Sequence, residues 1–301
     1  MSQPRKRPGK PAAAQAAGQG VGRAASSLVL PADPTRYAPS AERPVRVKAR
    51  RLRADTHIVP HSHAWAQVAF STTGVLRVTA ADHTYIVPPS RAVWIPPGVE
   101  HVVAVVEDAE LRTLYLHQDA AGVGPSPLAV QEVAAGGDWH RCRVLEVSAL
   151  LRELAQQLQA EPALDEAPGA RERCVAALLQ DEICRARPVP LGVGLPADKR
   201  LRALCEAVID QPTRHATLDG WALEAGASVR TVARLFRQEL GTTFAEWRQQ
   251  VLLAKALSMA ARKRPMSHIA SALGYASASA FSAMVRRSVG MSPSRFFAAT
   301  N

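Results

Sequence analysis

The spacing of apolar positions changes part-way along this chain. Between residues 56 and 116, short apolar runs such as AQVAF and AVWIPP alternate with polar positions and are separated by turn signals, among them Pro97-Gly98. Alternation with a period of two is typical of β-strands. Seven or eight strands at this close spacing predict a small β-barrel or sandwich.

The later part of the chain has helical spacing instead. Residues 143–160 and 170–185 repeat apolar side chains every three or four positions, which predicts two amphipathic helices. The segment 187–196 contains three prolines and two glycines, which indicates a linker. Beyond it, capping residues and helical spacing predict helices over 198–211, 217–225, 228–240, 243–261, 266–273, 277–289 and 292–299.

The net charge of +11 is unevenly distributed over the chain. Residues 1–53 hold 12 Lys/Arg against 2 Asp/Glu, residues 54–197 hold 10 against 17, and residues 198–301 hold 15 against 7. A basic C-terminal block beside an acidic middle indicates that the C-terminal block binds a polyanion, most commonly nucleic acid. A solvated basic surface is the simpler alternative.

Several protein classes are excluded by composition. No run of 18 apolar residues is present, so no membrane-spanning helix is expected, and the N-terminus lacks the apolar core of a secretory signal. The four cysteines form no CxxC pair, which argues against a disulfide framework or a zinc ribbon. We expect reduced cysteines in a cytoplasmic protein. Residues 1–27 have few apolar side chains and predict a disordered tail.

The C-terminal block contains an internal repeat. Residues 223–247 align with residues 271–296, matching Gly226 to Gly274 and Ser228 to Ser277. Each copy consists of a helix, a glycine turn and a serine-capped helix, the pattern of a helix-turn-helix unit. The second helix of such a unit can face base edges in the major groove. A basic helical bundle without DNA binding is the alternative.

The second helix of each unit supplies the candidate DNA-binding residues. Arginine can bond two acceptors of guanine or hold a phosphate, whereas serine makes single hydrogen bonds. We therefore expect the first unit, which carries more arginine, to contribute more sequence specificity. The candidates are Ser228, Arg230, Thr231, Arg234 and Arg237 in the first unit and Ser277, Ser279, Ser282, Arg286 and Arg287 in the second.

Residues 198–301 resemble the DNA-binding domain of AraC/XylS-type transcriptional regulators. The resemblance rests on RLFRQELGTTFAEW in the first unit and IASALGYASASAFSAMVRRSVGMSPSRF in the second. It implies two helix-turn-helix units, joined by the long helix over 243–261, that bind successive major-groove segments. Val285 departs from the family pattern, which usually has an aromatic residue there.

A group of polar residues in the barrel segment has the spacing of a ligand site. His61 and His63 are two apart and can share a face of a strand, while Gln67 and His101 can approach from elsewhere. Three imidazoles and an amide oxygen could bind a borderline divalent metal. The alternatives are polar residues of an effector pocket, or histidines whose hydrogen bonds are satisfied within the barrel.

Residues 55–117 resemble the cupin superfamily, whose motifs supply His-x-His, a carboxylate and a distant histidine. Gln67 stands where metal-binding cupins carry glutamate, and loss of that anionic ligand weakens the case for tight metal binding and for catalysis. Regulators with a cupin-like domain commonly bind an effector there without chemistry. The resemblance thus implies a sensor rather than an enzyme.

We therefore predict an α+β multidomain protein with an N-terminal cupin-like β-barrel, a helical connector and a C-terminal all-α domain with two helix-turn-helix units. The connector helices either pair with a second copy or belong to the intramolecular core. The predicted boundaries are a basic tail over 1–40, a barrel over 41–140, a connector over 141–187, a linker over 188–197 and a DNA-binding domain over 198–301.

The predicted function is sequence-specific regulation of promoters in response to an effector. The expected partners are promoter DNA, a small-molecule effector, a second copy of the chain and RNA polymerase, with no membrane. No cofactor is required, and a divalent metal at the histidine cluster is the candidate addition. The main rival is a metal-dependent cupin oxygenase or isomerase with a helical appendage. A nonspecific nucleic-acid-binding protein is the third interpretation.

Overall fold

The computed structural model describes residues 27–29, 31, 36–80, 83–89, 91–118, 139–158, 167–189 and 192–298. Most of the sequence predicted as a basic tail therefore lies outside the described residues. The strands are β1 (Ser27–Val29), β2 (Val45–Leu52), β3 (Thr56–His61), β4 (Ala66–Ser71), β5 (Leu76–Ala80), β6 (His83–Val87), β7 (Arg91–Ile95), β8 (His101–Val105), β9 (Ala109–Leu116), β10 (Arg143–Glu146), β11 (Pro188–Val189) and β12 (Gly192–Gly194).

The helices follow the barrel strands, as the change in spacing predicted. They are α1 (Ala149–Gln157), α2 (Ala170–Arg185), α3 (Lys199–Asp210), α4 (Leu218–Glu224), α5 (Val229–Leu240), α6 (Phe244–Ala261), α7 (Met266–Ala272), α8 (Ala278–Val289) and α9 (Pro293–Ala298). The seven helices after residue 198 confirm the predicted elements. No predicted end differs from the observed end by more than one residue.

The strands form two six-stranded sheets. Sheet I has the order β1-β3-β8-β5-β6-β12, and sheet II has the order β11-β10-β7-β4-β9-β2. Their facing side chains form the interior of the cupin-like barrel, with Val78 and Val103 from sheet I and Ala69 and Leu111 from sheet II in one apolar cluster. The predicted β-barrel is thus confirmed.

Helices α1 and α2 cover the outer face of sheet II. Their apolar stripe, which includes Leu151, Leu179 and Ile183, packs on Val68 and Trp94 of the sheet. The stripe therefore belongs to the intramolecular core, which was one of the two alternatives for these helices. Burial of the stripe also explains why both faces of sheet II are largely apolar.

One helix begins later than its spacing predicted. The sequence predicts a helix over residues 143–160, but residues 143–146 form strand β10, which pairs with β7. Helix α1 begins only after Ser148, whose side chain accepts a hydrogen bond from the backbone of Leu151. Over so short a run, Val144 and Leu145 fit both the spacing of a helix and that of a strand. The segment forms a strand because it pairs with β7 at a position where no other described strand does.

The segment predicted as an interdomain linker contributes strands to both sheets. β11 pairs with β10 in sheet II, and β12 pairs with β6 in sheet I. Val193 and Leu195 are buried in a cluster that also contains Leu201 of α3 and Trp247 of α6. The segment is therefore part of a packed interface between the barrel and the helical domain.

Candidate DNA-binding surface and effector pocket

The first helix-turn-helix unit consists of α4, a turn and α5. Gly226 in the turn has φ of +63°, a left-handed conformation that favours glycine. Ser228 then caps α5 by accepting a hydrogen bond from the backbone of Thr231 at 3.1 Å. Val232 and Phe236 are buried against the rest of the unit, so the polar face of α5 is turned outward.

The second unit repeats this local structure in α7 and α8. Gly274 has φ of +79° in the turn, and Ser277 accepts a hydrogen bond from the backbone of Ala280 at 3.1 Å. Phe281 and Val285 are fully buried. Val285, where the family usually has an aromatic residue, thus contributes to the core of the unit.

The structure exposes nearly all of the predicted DNA-binding side chains. The exposed ones are Ser228, Arg230, Thr231, Arg234, Arg237, Ser277, Ser279, Arg286 and Arg287, while Ser282 is half-buried. Arg234 donates a hydrogen bond to the side chain of Gln238 at 2.6 Å, which extends it along α5. Because the hydroxyls of Ser228 and Ser277 cap their helices, their main observed role is structural.

The structure brings together the three histidines predicted from the barrel segment. His61 ends β3 and pairs in register with His101, which begins β8. The ring centroids of His61 and His101 are 4.2 Å apart, and His63 lies 5.0 Å from His61 and 5.7 Å from His101. One ring nitrogen from each histidine lies within 4.8 Å of the others. Gln67 on the neighbouring sheet is buried.

Backbone contacts orient two of these rings. Nδ1 of His61 lies 2.8 Å from the carbonyl oxygen of Val59, and Nδ1 of His101 lies 3.0 Å from that of Val99. A carbonyl can only accept, so in both neutral rings Nδ1 carries the proton and Nε2 carries the lone pair. This is the tautomer in which a histidine binds a metal through Nε2.

Burial keeps the cluster uncharged. Burial lowers the pKa of His63 to about 4. The neighbouring His61 lowers this pKa further, and the side chain of Gln67 partly raises it. Burial also lowers the pKa of His101 to about 4, opposed by the carbonyl of Val99. The pKa of His61 is lowered for the same reason. All three rings are therefore neutral near pH 7.

Three buried atoms of the site have no hydrogen-bond partner among the described residues: Nε2 of His63, Nε2 of His101 and Oε1 of Gln67. Buried polar atoms are normally hydrogen-bonded, so three in one place indicate a ligand or water there. The neutral imidazoles fit a borderline divalent metal, although tetrahedral Zn²⁺ requires ligand nitrogens ~3.4 Å apart and so a small movement of the rings.

Sequence analysis missed two cations beside this cluster. Lys48 and Arg50 of β2 line the same small cavity as His61 and Gln67. The alternating pattern VRVKAR over residues 45–50 marks β2 as a strand with one basic face. It does not indicate that the basic face points into the barrel.

Comparison with known proteins identifies both parts of the chain. Residues 44–180 match the model described as "AraC-like ligand binding domain", and residues 221–299 match one described as "Helix-turn-helix domain". The chain belongs to the AraC family of transcriptional regulators. It is a DNA-binding regulator with a ligand-binding N-terminal domain.

Two curated relatives share this organisation to different extents. The HTH-type transcriptional regulator NimR of Escherichia coli is 29% identical over 238 residues, which cover 79% of this chain and 81% of NimR. The HTH-type transcriptional regulator RipA of Corynebacterium glutamicum is 32% identical over 102 residues, which cover 34% of this chain and 31% of RipA.

A solved structure of ToxT from Vibrio cholerae is a more distant match. It is 9% identical with a TM-score of 0.35, and the match covers 85% of this chain and 99% of that chain. Within the described residues of this AraC-family chain, no helix is long and apolar enough to cross a membrane.

Proposed function

We propose that this AraC-family protein regulates promoters by reading two successive major-groove segments, under the control of an effector bound in the barrel. The observation that carries the proposal is the doubled helix-turn-helix unit, in which α5 and α8 both present exposed polar faces. A single basic helix would not by itself indicate recognition of a specific DNA sequence. Two recognition helices joined through α6 favour binding to two DNA segments at a fixed spacing.

The two recognition helices have different proposed roles. Arg230 and Arg234 can make bidentate contacts with guanine. Ser279 and Ser282 offer single hydrogen bonds, so α8 is proposed to contribute more through phosphate contacts by Arg286 and Arg287. Arg237 lies in a cleft between the two units and is proposed to contact the DNA backbone between the grooves.

The effector site is proposed at the buried cluster of His61, His63, Gln67 and His101. The three buried atoms without partners support a ligand at this position. A divalent metal is the second candidate for this site, favoured by the orientation of two Nε2 lone pairs. Under the regulatory proposal the protein requires no metal for DNA binding.

The barrel and the DNA-binding domain contact each other directly, which provides a route for the signal. Arg91 of β7 is buried and donates a hydrogen bond to the carbonyl oxygen of Phe296 at 3.2 Å. Glu107 binds the side chain of Arg262 at the end of α6. We propose that the effector shifts the population between this docked arrangement and one in which two DNA-binding domains match their half-sites.

Dimerisation is proposed through the outward faces of α1 and α2. Leu150 and Leu178 are about half exposed there, although the main apolar stripe of both helices is buried on sheet II. Sedimentation velocity over a range of protein concentrations tests this part independently of DNA. A contact with RNA polymerase is proposed from the family alone.

Fluorescence anisotropy with the intergenic DNA beside the gene tests the main proposal. We expect a preference of at least ~10³-fold over scrambled DNA of equal composition. Arg230→Ala combined with Arg234→Ala should remove most of this preference. Arg200→Ala is the control, because it removes an exposed charge from α3 of the same domain.

The two rival functions predict different outcomes. Equal binding to both DNAs, with a steep loss as salt rises, would indicate a nonspecific nucleic-acid-binding protein. Absence of DNA binding together with stoichiometric metal and turnover of a substrate would indicate a cupin enzyme. Specific binding that does not change with any added effector would contradict the sensor role of the barrel.

A further inference from the structure

A cleft of about 420 Å³ separates the two helix-turn-helix units. Residues 216–218 at the start of α4, one side of α5, the first part of α6 and the turn before α8 line it. On α5 the lining residues are Ala233 and Arg237. They share one helical face with Arg230 and Arg234, because side chains three, four and seven positions apart lie on the same side of a helix. The cleft thus borders the recognition face of α5.

The polar lining of the cleft is basic. Arg237 is exposed and Arg248 of α6 is partly buried, and no lining residue is acidic. Among the described residues, no carboxylate forms an ion pair with either guanidinium. Glu246 binds Thr243 in the capping box of α6, and Glu239 accepts hydrogen bonds from two backbone N–H groups before α3. The nearest acidic side chains in sequence therefore do not neutralise the cleft.

Arg248 is oriented before any ligand arrives. Its Nε donates a hydrogen bond to the carbonyl oxygen of Pro212 at 2.9 Å. Burial lowers the pKa of Arg248, and the neighbouring Tyr275 partly raises it. The guanidinium stays charged at pH 7 but has lost part of its contact with water. A charge that is already oriented and partly desolvated binds an anion at a lower cost in entropy and desolvation.

Tyr275 lines the cleft from the second unit and adds a neutral donor. Its ring packs edge-on against Phe281, with 5.4 Å between the ring centroids. Burial raises the pKa of the Tyr275 phenol, and the positive charges of Arg248 and Arg287 partly lower it. The phenol is therefore protonated near pH 7, and its O–H can donate a hydrogen bond. Arg287 is one of the exposed basic residues of α8, so the cleft adjoins both recognition helices.

We propose that this cleft binds a phosphate group of the DNA backbone, in the stretch between the two segments that α5 and α8 contact. Arg237 comes from the first unit, Arg248 from the connecting helix and Tyr275 from the second unit. Successive major-groove segments on one face of DNA lie about one helical turn apart, and the backbone crosses the space between them. Guanidinium groups bind phosphate through charge-assisted hydrogen bonds. The proposal rests on the DNA-binding function proposed above.

A site formed by both units depends on their relative position. One phosphate contacts all three side chains only when α5 and α8 are held at the spacing that α6 sets. Phosphate contacts fix the position of a protein on DNA and carry no sequence information directly. Loss of this site should therefore weaken binding to specific and to scrambled DNA by similar factors.

Anisotropy titrations over a series of salt concentrations test the proposal. Arg248→Gln and Arg237→Gln should each lower the affinity for DNA about 10-fold or more, the cost of one charged hydrogen bond. Each should also reduce the slope of log affinity against log salt by about 1, and leave the ratio of specific to scrambled binding unchanged. Arg200→Gln is the control, because Arg200 is exposed on α3 and does not line the cleft. An unchanged slope in Arg248→Gln, or an equal change in Arg200→Gln, would overturn the proposal.

Two conservative variants separate lost contacts from misfolding. Tyr275→Phe keeps the ring against Phe281 and should lower the affinity about 3-fold or more without changing the salt slope, because no charge is removed. Arg248→Lys keeps the charge but not the fork of donors, so it should keep the slope. Full affinity in Tyr275→Phe would overturn the assignment of its hydroxyl. A reduced slope in Arg248→Lys would overturn the assignment of the charge.

Methylphosphonate substitution locates the bound phosphate. This uncharged group is placed at one backbone position at a time between the two contacted segments. At one position it should weaken the wild-type protein about 10-fold and weaken Arg248→Gln little further, because the variant and the substitution remove the same contact. Losses that add at every position would overturn the proposal.

The remaining outcomes distinguish this site from the proposed function and from a site for a free anion. Specific DNA binding with unchanged slopes in the cleft variants would retain the proposed function and overturn this inference. Equal binding to both DNAs, with the slope still reduced in Arg248→Gln, would contradict the proposed function and retain the phosphate site. Inorganic phosphate is compared with chloride at equal ionic strength by thermal unfolding. Stabilisation that requires Arg248, without any effect of Arg248→Gln on DNA binding, would overturn the assignment to DNA.

Discussion

The two helix-turn-helix units share a backbone frame but differ in what they contact. Trp247 and Phe296 occupy the same position of the repeat, and both lie at the barrel. Trp247 uses its indole N–H, which donates to the carbonyl oxygen of Gly194 at 2.7 Å. Phe296 uses its backbone carbonyl and its ring, both of which contact Arg91. One repeated aromatic position thus makes two chemically different interdomain contacts.

The recognition faces differ in the same way. In both units a glycine in the left-handed conformation forms the turn and a serine caps the next helix with a hydrogen bond of 3.1 Å, although the second turn is one residue longer. The exposed positions carry arginine in α5, whereas the first two turns of α8 carry alanine and serine. The caps and the buried core stabilise each unit, so the exposed side chains can differ between the units without changing the fold. The two units therefore share their capping and buried core but not their exposed side chains.

Replacing the central phenylalanine of each unit should have the largest effect. Phe236 and Phe281 are both fully buried, so alanine at either should lower the free energy of unfolding by about 3–5 kcal/mol. Urea titration followed by circular dichroism measures the loss. A cost below about 1 kcal/mol at one position only would show that the two units are not equivalent in packing.

Removing one side chain from each recognition helix should show that the first unit contributes more to DNA sequence specificity than the second. Arg234→Ala should reduce discrimination between specific and scrambled DNA by about 1–3 kcal/mol, the value of a good bidentate base contact. Ser279→Ala should cost at most about 1 kcal/mol, because it removes one hydrogen bond. Competition binding at fixed salt gives both values. Comparable losses would contradict the ranking of the two helices.

The two barrel contacts should differ in strength. Arg91→Met removes a buried hydrogen bond from a charged group, at a cost of about 1.5–3 kcal/mol, whereas Trp247→Phe removes a neutral one, at about 0.5–1.5 kcal/mol. Both costs are measured by thermal unfolding. Hydrogen exchange in β12 and α9 shows whether the change is local. A larger loss in Trp247→Phe than in Arg91→Met would reverse the comparison.

The serine caps should be the most nearly equal pair. Ser228→Ala and Ser277→Ala should each destabilise by about 1 kcal/mol, since each hydroxyl accepts one backbone hydrogen bond at the start of its helix. Threonine at each position should restore much of the loss. If only one of the two alanine variants destabilises the protein, the caps do not play the same role in the two units.

Local signals predicted the helical domain well, because its structure depends on neighbouring residues. Asp198, Ser228 and Ser277 each bond a backbone N–H three residues ahead, and these short-range contacts are visible in the sequence. The histidine cluster was also predictable in part, since the spacing of His61 and His63 follows from the period of a strand. We expected His101 to approach from a second strand, and the structure pairs it in register with His61.

Long-range packing decided the features that sequence analysis missed or misplaced. Residues 143–146 pair as a strand because the edge of β7 was available, and 192–194 pair because β6 was. Neither partner can be identified from nearby residues. Sheet formation depends on contacts between residues far apart in the chain, so short segments with weak periodicity take the structure that their neighbours in space allow.

By itself, the sequence determined the two helix-turn-helix units, the presence of a β-barrel and the identity of the candidate ligands. Only the tertiary structure decided which face of β2 points inward. The alternation of apolar and basic residues in VRVKAR over residues 45–50 fits a strand with either face turned inward. A period of two does not specify which face of the strand is the interior one. Packing of α1 and α2 on the outer face of sheet II buries Val45 and Val47, and the cations Lys48 and Arg50 therefore line the cavity.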